Sequence, residues 1–352
     1  MGSLPAIIKI GATMNLPNIA LANWSIDGEA QASEDAGLIN DTYIVGNPTT
    51  GILQRVNPIF GPDIHLDIEA ITAHLAAAGL LTPRLVPTTD GALCVPAENG
   101  TWRLLTYIPG TTIHAISSPK QAATAGSLVG QFHQATASLN HDFHFSRPGA
   151  HDTVLHMNTL REALNHADDH PLAGPARSLG QEILSAWESW EGTLDLPLHI
   201  CHGDLKISNI RFADDRSSAL CLLDLDTLGL QSFAVEMGDA WRSWCNPAGE
   251  SEPEAATFDI EIFRASASAW LQSGPELTQL ELENLAPGIE RICLELAARF
   301  CADSVVNQYF KEDTSTYPQP GKHNLVRAAT QFKVAESSRN CRVETQRIIT
   351  AR

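Results

Sequence analysis

Apolar positions along this chain fall into two textures. Up to about residue 108 they come in short runs divided by glycine, proline and asparagine; beyond it they recur every three or four residues over long stretches. The first texture predicts a short helix over 17–22 with proline in its first turn, a strand within 24–32, and a turn then a strand over 37–45. The run 46–51 closes a hairpin onto 52–56, and further strands are expected at 92–96 and 102–108. One helix interrupts it, over 63–78, where Ile64, Ile68, Ile71 and Leu75 share a face and Gly79 ends the pattern. After Pro109 and Gly110 the pattern turns helical. Ser118 and Pro119 start a helix carrying Leu128, Phe132, Ala135 and Leu139, followed by helices over 153–167, 176–190, 255–272, 276–310 with a break near Pro287, and 323–349. Inside this helical part, 198–225 reads as a strand, a polar loop and a short hairpin. The expected class is α+β, with a small β-rich part over 1–108 and a larger helical part over 109–352.

That polar loop carries the chemistry. In CHGDLKISNIRFADDRSSALCLLDLD, from Cys201 to Asp226, Asp204 is followed five residues later by Asn209, and an apolar run then ends in Asp224 and Asp226. An aspartate beside a hydroxyl can accept its proton, while an amide oxygen and further carboxylates are the hard ligands that magnesium takes. Lys206 adds positive charge where a transferring phosphoryl group gathers negative charge. The combination points to phosphoryl transfer. Glu69, in the first helix, is expected either to pair with Arg55 on the preceding strand or to lie in solvent. Asp239 either braces the loop by accepting backbone hydrogen bonds or caps a helix.

Composition narrows the alternatives. The 352 residues carry a net charge of −18, which argues against a surface that neutralises nucleic-acid phosphates. No apolar run reaches the roughly 18 to 20 residues of a membrane helix, and no basic head with an apolar core marks a signal peptide, so a cytoplasmic location is expected. The seven cysteines are scattered and never spaced CxxC, the pattern of free thiols, and Cys201 reads as a small hydrophobe. There is no Gly-x-Ser-x-Gly, no phosphate-loop glycine motif and no His-Glu-x-x-His. His141 with His144 and His166 with His170 have metal-like spacings, but no cysteine pair or glutamate completes either in the sequence.

The stretch His202-Gly-Asp-Leu-Lys-Ile-Ser-Asn209 resembles the catalytic loop of the aminoglycoside phosphotransferase and choline kinase branch of the protein-kinase-like fold, and Leu223-Asp-Leu-Asp226 resembles its metal-binding strand. The resemblance implies a two-lobed fold using ATP and magnesium. It makes Asp204 the general base, Asn209 and Asp224 metal ligands, and Asp226 a second carboxylate ligand. A narrower resemblance, to the N-acetylhexosamine 1-kinases, is carried by short matches along the chain. They include residues 37–43, 53–57 and 68–72, His151-Asp-Thr153, Leu225-Asp-Thr227, Gly238-Asp-Ala-Trp-Arg242, Arg299-Phe300 and His323-Asn-Leu-Val-Arg327. The broader resemblance places a hinge for adenine at Thr106, Tyr107 and Ile108, and the narrower one implies nucleotide contacts from Asn40, Thr42, Arg55 and Glu69. It further implies transfer to the anomeric hydroxyl of an acetylated amino sugar held by Asp204, Ser243, Trp244, Arg299 and Tyr309, unless Arg299 forms only a surface ion pair. An antibiotic or amino-alcohol kinase and a non-catalytic nucleotide-binding scaffold are the alternatives; the scaffold should have lost Asp204, Asn209 or Asp224, and all three are present.

Overall fold

A computed structural model describes residues 16–33 and 39–351; the expected turn at Gly37 lies outside them. The chain divides into two compact units. Of the described residues, one unit comprises those up to Leu66 together with Arg84–Tyr107, and the other Asp67–Pro83 with those from Ile108 onward.

The smaller unit holds helix α1 (Leu16–Leu21) and strands β1 (Ala30–Ala32), β2 (Asp41–Val45), β3 (Gly51–Val56), β4 (Val95–Ala97) and β5 (Gly100–Thr106). They form an antiparallel five-stranded sheet in the order β1-β2-β3-β5-β4. Val45, Leu53, Trp102 and Leu104 bury one face against Leu21 and Trp24. The strand expected within 24–32 shrinks to β1. Trp24 instead turns into this core and donates its indole N–H to Val86 O at 2.7 Å, and Asn23 O accepts Thr89 N, so this segment is satisfied by a loop rather than by a strand neighbour.

Helix α2 (Ile64–Ala77) starts in the smaller unit, yet its body groups with the larger one rather than with the sheet. Its apolar face, Ile68, Ile71 and Leu75, is buried, and polar contacts fix its position. Asp67 is buried and accepts the backbone N–H groups of His144 and Phe145, and the His74 ring bonds Ala135 O at 2.8 Å.

The larger unit runs α3 (Pro119–Thr136), α4 (Thr153–Asn165), α5 (Ala173–Glu188), β6 (His199–Cys201), β7 (Ile210–Phe212), β8 (Ala219–Leu222), β9 (Gly229–Gln231), α6 (Phe233–Trp244), α7 (Ile260–Ser273), α8 (Gln279–Val306), α9 (Lys322–Asn340) and α10 (Arg342–Thr350). Ser118 caps α3 as expected, its Oγ accepting Gln121 N. Helix α8 is the axis, packed by α4, α5, α6 and α9. It continues through Pro287 where a break was expected, because Leu285, Ile289, Ile292 and Leu296 bury on both sides of the proline and tertiary packing outweighs the lost hydrogen bond. The single helix expected over 323–349 is two, turning at Cys341 so that Ile348 and Ile349 bury where α10 meets α7 and α8. Helices α6 and α8 approach backbone to backbone: a Cβ at Gly238 would stand 2.6 Å from Gly288 O, and one at Gly288 would stand 2.2 Å from Ala234 O.

Candidate active site

The loop between β6 and β7 is pinned from several sides. Glu236, wholly buried on the first turn of α6, accepts His202 N at 2.8 Å on one oxygen and Gly203 N at 2.9 Å on the other. His133 adds a third bond to Glu236 at 3.2 Å and is itself held by the Trp270 indole N–H. Burial would raise the Glu236 carboxyl, but these partners, His133 first, hold it below the usual range, so it is charged. The His202 ring donates from Nε2 to Leu223 O at 2.7 Å and accepts Asp204 N on Nδ1. Gly203 lies at φ +80°, and a Cβ there would meet Thr227 O at 2.4 Å, so only glycine lets the loop turn under that carbonyl. Ser243 Oγ accepts Ile207 N at 3.1 Å, and the Trp244 indole donates to Leu205 O at 2.8 Å.

This corrects two expectations. Asp239 lies within α6, where it pairs with Arg242 and neither braces the loop nor caps a helix; the brace is Glu236, one helical turn earlier. Trp244 has no exposed surface and holds the loop from behind, so it cannot meet an acceptor. Ser243 does the same work on Ile207.

The exposed side of the loop presents Asp204. Its carboxylate receives the Lys206 ammonium at 2.7 Å. Burial would raise Asp204, but Lys206 takes it below its ordinary value, and Lys206, which burial alone would lower, is raised by the same partner. Both are charged at neutral pH. Asn209 donates its amide to Asp204 O at 2.8 Å, which fixes the side chain and orients its oxygen as the remaining acceptor. Leu223 N returns to Asn209 O at 2.8 Å, tying the end of β8 to the loop. Directly after this bond Asp224 takes the left-handed conformation, φ 60° and ψ 61°, rare for a residue with a Cβ and frequent where a functional side chain must be re-aimed. The surrounding protein and the neighbouring Asp226 push the Asp224 carboxyl up to about 6, although solvent reaches its side chain. Asp224 and Asp226, whose charges repel, and the Asn209 amide oxygen are hard oxygen donors of the kind that suit magnesium, whose charge would offset that repulsion.

Around this centre lie two buried networks that single-residue reasoning missed. Arg242 forks onto one oxygen of Asp239 at 2.9 and 2.7 Å and reaches Glu250, which also receives Arg327. The second Asp239 oxygen is buried with no hydrogen-bond partner. Glu295 on α8 holds His151 at 3.0 Å and Thr153 at 2.6 Å, and the other His151 ring nitrogen lies 3.4 Å from Gly203 O. Burial would raise Glu295, but His151 and Thr153 bring it down to about 2. Arg299, one turn further along α8, lies 5.6 Å from the Tyr309 ring centre and 5.4 Å from that of Phe310, and the Tyr309 hydroxyl bonds Arg147.

The expected nucleotide-side residues are already engaged. Asn40 Oδ1 accepts Asn57 N, Thr42 Oγ1 accepts Gln54, and Thr106 Oγ1 accepts Arg84 N. Arg55 binds Asp41 across β2 and β3 at 2.8 Å, so its carboxylate partner in this sheet is Asp41 where Glu69 was expected. Ile108 O accepts Arg211 Nε at 3.0 Å. Glu69 and Tyr107 both have interactions of their own.

A charged aspartate beside a lysine, an oriented amide and a pair of mutually repelling aspartates are the groups that phosphoryl transfer uses. The chain belongs to the phosphotransferase enzyme family, which it matches over residues 34–271. It is similar to a homoserine kinase of Azorhizobium caulinodans, 25% identical over 252 residues, covering 69% of this chain and 74% of that one. In fold it is similar to an aminoglycoside phosphotransferase of Alicyclobacillus acidocaldarius, with a TM-score of 0.61, 15% identity, and 95% and 98% of the two chains covered. It also resembles an amicoumacin kinase solved with AMP-PNP and Ca2+, with a TM-score of 0.58, 13% identity, and 87% and 91% coverage. The family makes this protein a phosphotransferase enzyme. Among the described residues no helix is long and apolar enough to cross a membrane.

Proposed function

We propose that this enzyme transfers the γ-phosphoryl group of ATP to the anomeric hydroxyl of an N-acetylhexosamine. The observation that carries the reaction is the Asp204–Lys206 pair at 2.7 Å on a loop whose backbone is fixed by Glu236. Asp204, charged and with 26% of its side chain exposed, orients the acceptor hydroxyl and takes its proton as the oxygen attacks phosphorus and ADP leaves. Lys206 leaves Asp204 for the transferring group, whose growing charge it offsets. Asn209, Asp224 and Asp226 would hold magnesium, which when bound neutralises the phosphate oxygens. Asn40, Thr42, Arg55, Glu69, Thr106, Tyr107 and Ile108 complete the proposal on the nucleotide side. For the acceptor, the reading is supported by the short matches along the chain and by Arg299 set against Tyr309 and Phe310, a cation and ring surface suited to an acetylated, uncharged sugar.

A second reading, an amino-alcohol acceptor such as homoserine, is favoured by the unpartnered oxygen of Asp239, which would suit an ammonium group, and by the name of the A. caulinodans relative. One screen separates them: ADP release with ATP and magnesium over hexoses, hexosamines, N-acetylhexosamines, aminoglycosides, choline and homoserine. Turnover confined to N-acetylhexosamines is expected. Turnover with homoserine, choline or an aminoglycoside and none with any sugar refutes the sugar reading.

A further inference from the structure

We propose that Asp67, His141 and His144 form a binding site for a zinc-like transition-metal ion, separate from the magnesium ligands of the catalytic loop. The sequence offers only the histidine pair. The fold adds the third ligand by laying the segment after α3 along α2, where His141 Nε2 lies 2.8 Å and His144 Nδ1 3.0 Å from the same oxygen of Asp67. All three ligand atoms fall within 4.8 Å of one another.

Two features favour a cation over a simple anchoring role. First, that Asp67 oxygen also accepts His144 N at 2.9 Å, so three donors crowd an atom with two lone pairs, while the other oxygen takes only Phe145 N at 3.0 Å. An ion in place of the two imidazole protons removes this crowding, and the two backbone N–H groups remain as the outer bonds that orient a ligating carboxylate. Second, the spacing fits. Zinc bonds of about 2.0 to 2.1 Å at tetrahedral angles put ligand atoms about 3.3 Å apart, so the two nitrogen–oxygen separations of 2.8 and 3.0 Å lengthen by only about 0.3 to 0.5 Å, with the two nitrogens already within 4.8 Å of each other. Asp67 is buried, His141 nearly so, and the His144 side chain is half exposed, which leaves a fourth position for water. The other convergent cluster, His133, Cys201 and Glu236, has no such opening, and its Glu236 oxygens are committed to the loop backbone.

A bound ion would clamp the segment 141–145 onto α2, the helix that carries Glu69. The test uses the full-length protein stripped with chelator and titrated with Zn2+ and with Co2+. The expected result is one equivalent bound tightly enough to survive desalting, with a cobalt visible spectrum of nitrogen and oxygen ligands and no thiolate charge-transfer band. His144→Ala and His141→Ala should each weaken binding at least about tenfold, while Asp224→Asn leaves it unchanged. His144 is half exposed, so its variant should fold even if His141→Ala does not. The proposal is overturned if no zinc is retained, if His144→Ala binds as wild type does, if binding is lost in Asp224→Asn, or if cobalt reports a thiolate ligand.

Discussion

Replacing Glu236 by glutamine tests whether the catalytic loop depends on one buried carboxylate. The side chain is wholly buried and accepts two backbone N–H groups, at 2.8 and 2.9 Å, from the two residues just before Asp204. A hydrogen bond to a charged partner contributes about 1.5 to 3 kcal/mol. Glutamine keeps the shape and one acceptor but faces the other N–H with an NH2 group, so roughly 2 to 3 kcal/mol of stability should be lost. The loop would also shift, and a displacement near 1 Å at a reacting group costs about 100-fold in rate. Because the Glu236 carboxyl sits below its ordinary 4.5 in the folded protein, its contribution is full above that pH and fades as pH falls through the lower folded value. The stability gap between wild type and variant, measured by urea unfolding, should therefore be open at pH 7 and narrow below about pH 4.5. The paired assay is ADP release, with Asp239→Asn as the comparison, since that residue leaves the loop amides in place. A Glu236→Gln enzyme with wild-type stability and turnover would refute the bracing role.

Two further outcomes follow from the same geometry. Asp204→Asn should bind nucleotide as before but turn over ~10² to 10⁴ times more slowly, as expected for loss of a positioned base; near-normal turnover in single-turnover assays would remove Asp204 from that role. Since Asp224 sits near 6, a proton competes for it in the metal-free protein, and folding favours that protonated form. Its effect on metal-free stability accordingly declines as pH rises from its ordinary 3.8 towards 6, while magnesium affinity should rise over the same range and level off above it. Asp226→Asn should move the break to lower pH. Calorimetric magnesium affinity that stays flat from pH 5 to 7.5 would contradict this reading of the carboxylate pair.

The proposed reacting groups stood out in the sequence because they are nearly consecutive: Asp204, Lys206 and Asn209 lie on one loop, and the apolar strand before Asp224 returns to that loop through Leu223. The hairpin of β2 and β3 was legible for the same local reason, a turn-rich break between two alternating runs. What escaped was decided by length and direction of side chains. Glu236 and Asp239 lie three apart on α6 and face similarly, and nothing in their spacing says which carboxylate reaches the loop amides and which turns to Arg242. Trp244 looks like a sugar platform in one dimension and is a buried strut in three. Pro287 signals a break that packing on both sides overrides, and Asp67 meets His141 only because α2 lies along the segment after α3.

Helix α6 holds the loop amides through Glu236, the loop carbonyl of Leu205 through Trp244, and the Ile207 amide through Ser243, while Asp239 and Arg242 lie between these contacts. A single helix therefore sets the position of the proposed proton acceptor and also carries Asp239, the carboxylate that the second reading turns towards an acceptor. Changes of substrate are thereby routed elsewhere in descent and in engineering. On the proposed reading, mutations on α6 disturb the reaction together with its selectivity, whereas Arg299 and Tyr309, which touch no residue of the loop in the described contacts, can vary one without the other. New acceptor ranges should arise first in that part of the chain, in libraries that leave residues 233–244 untouched.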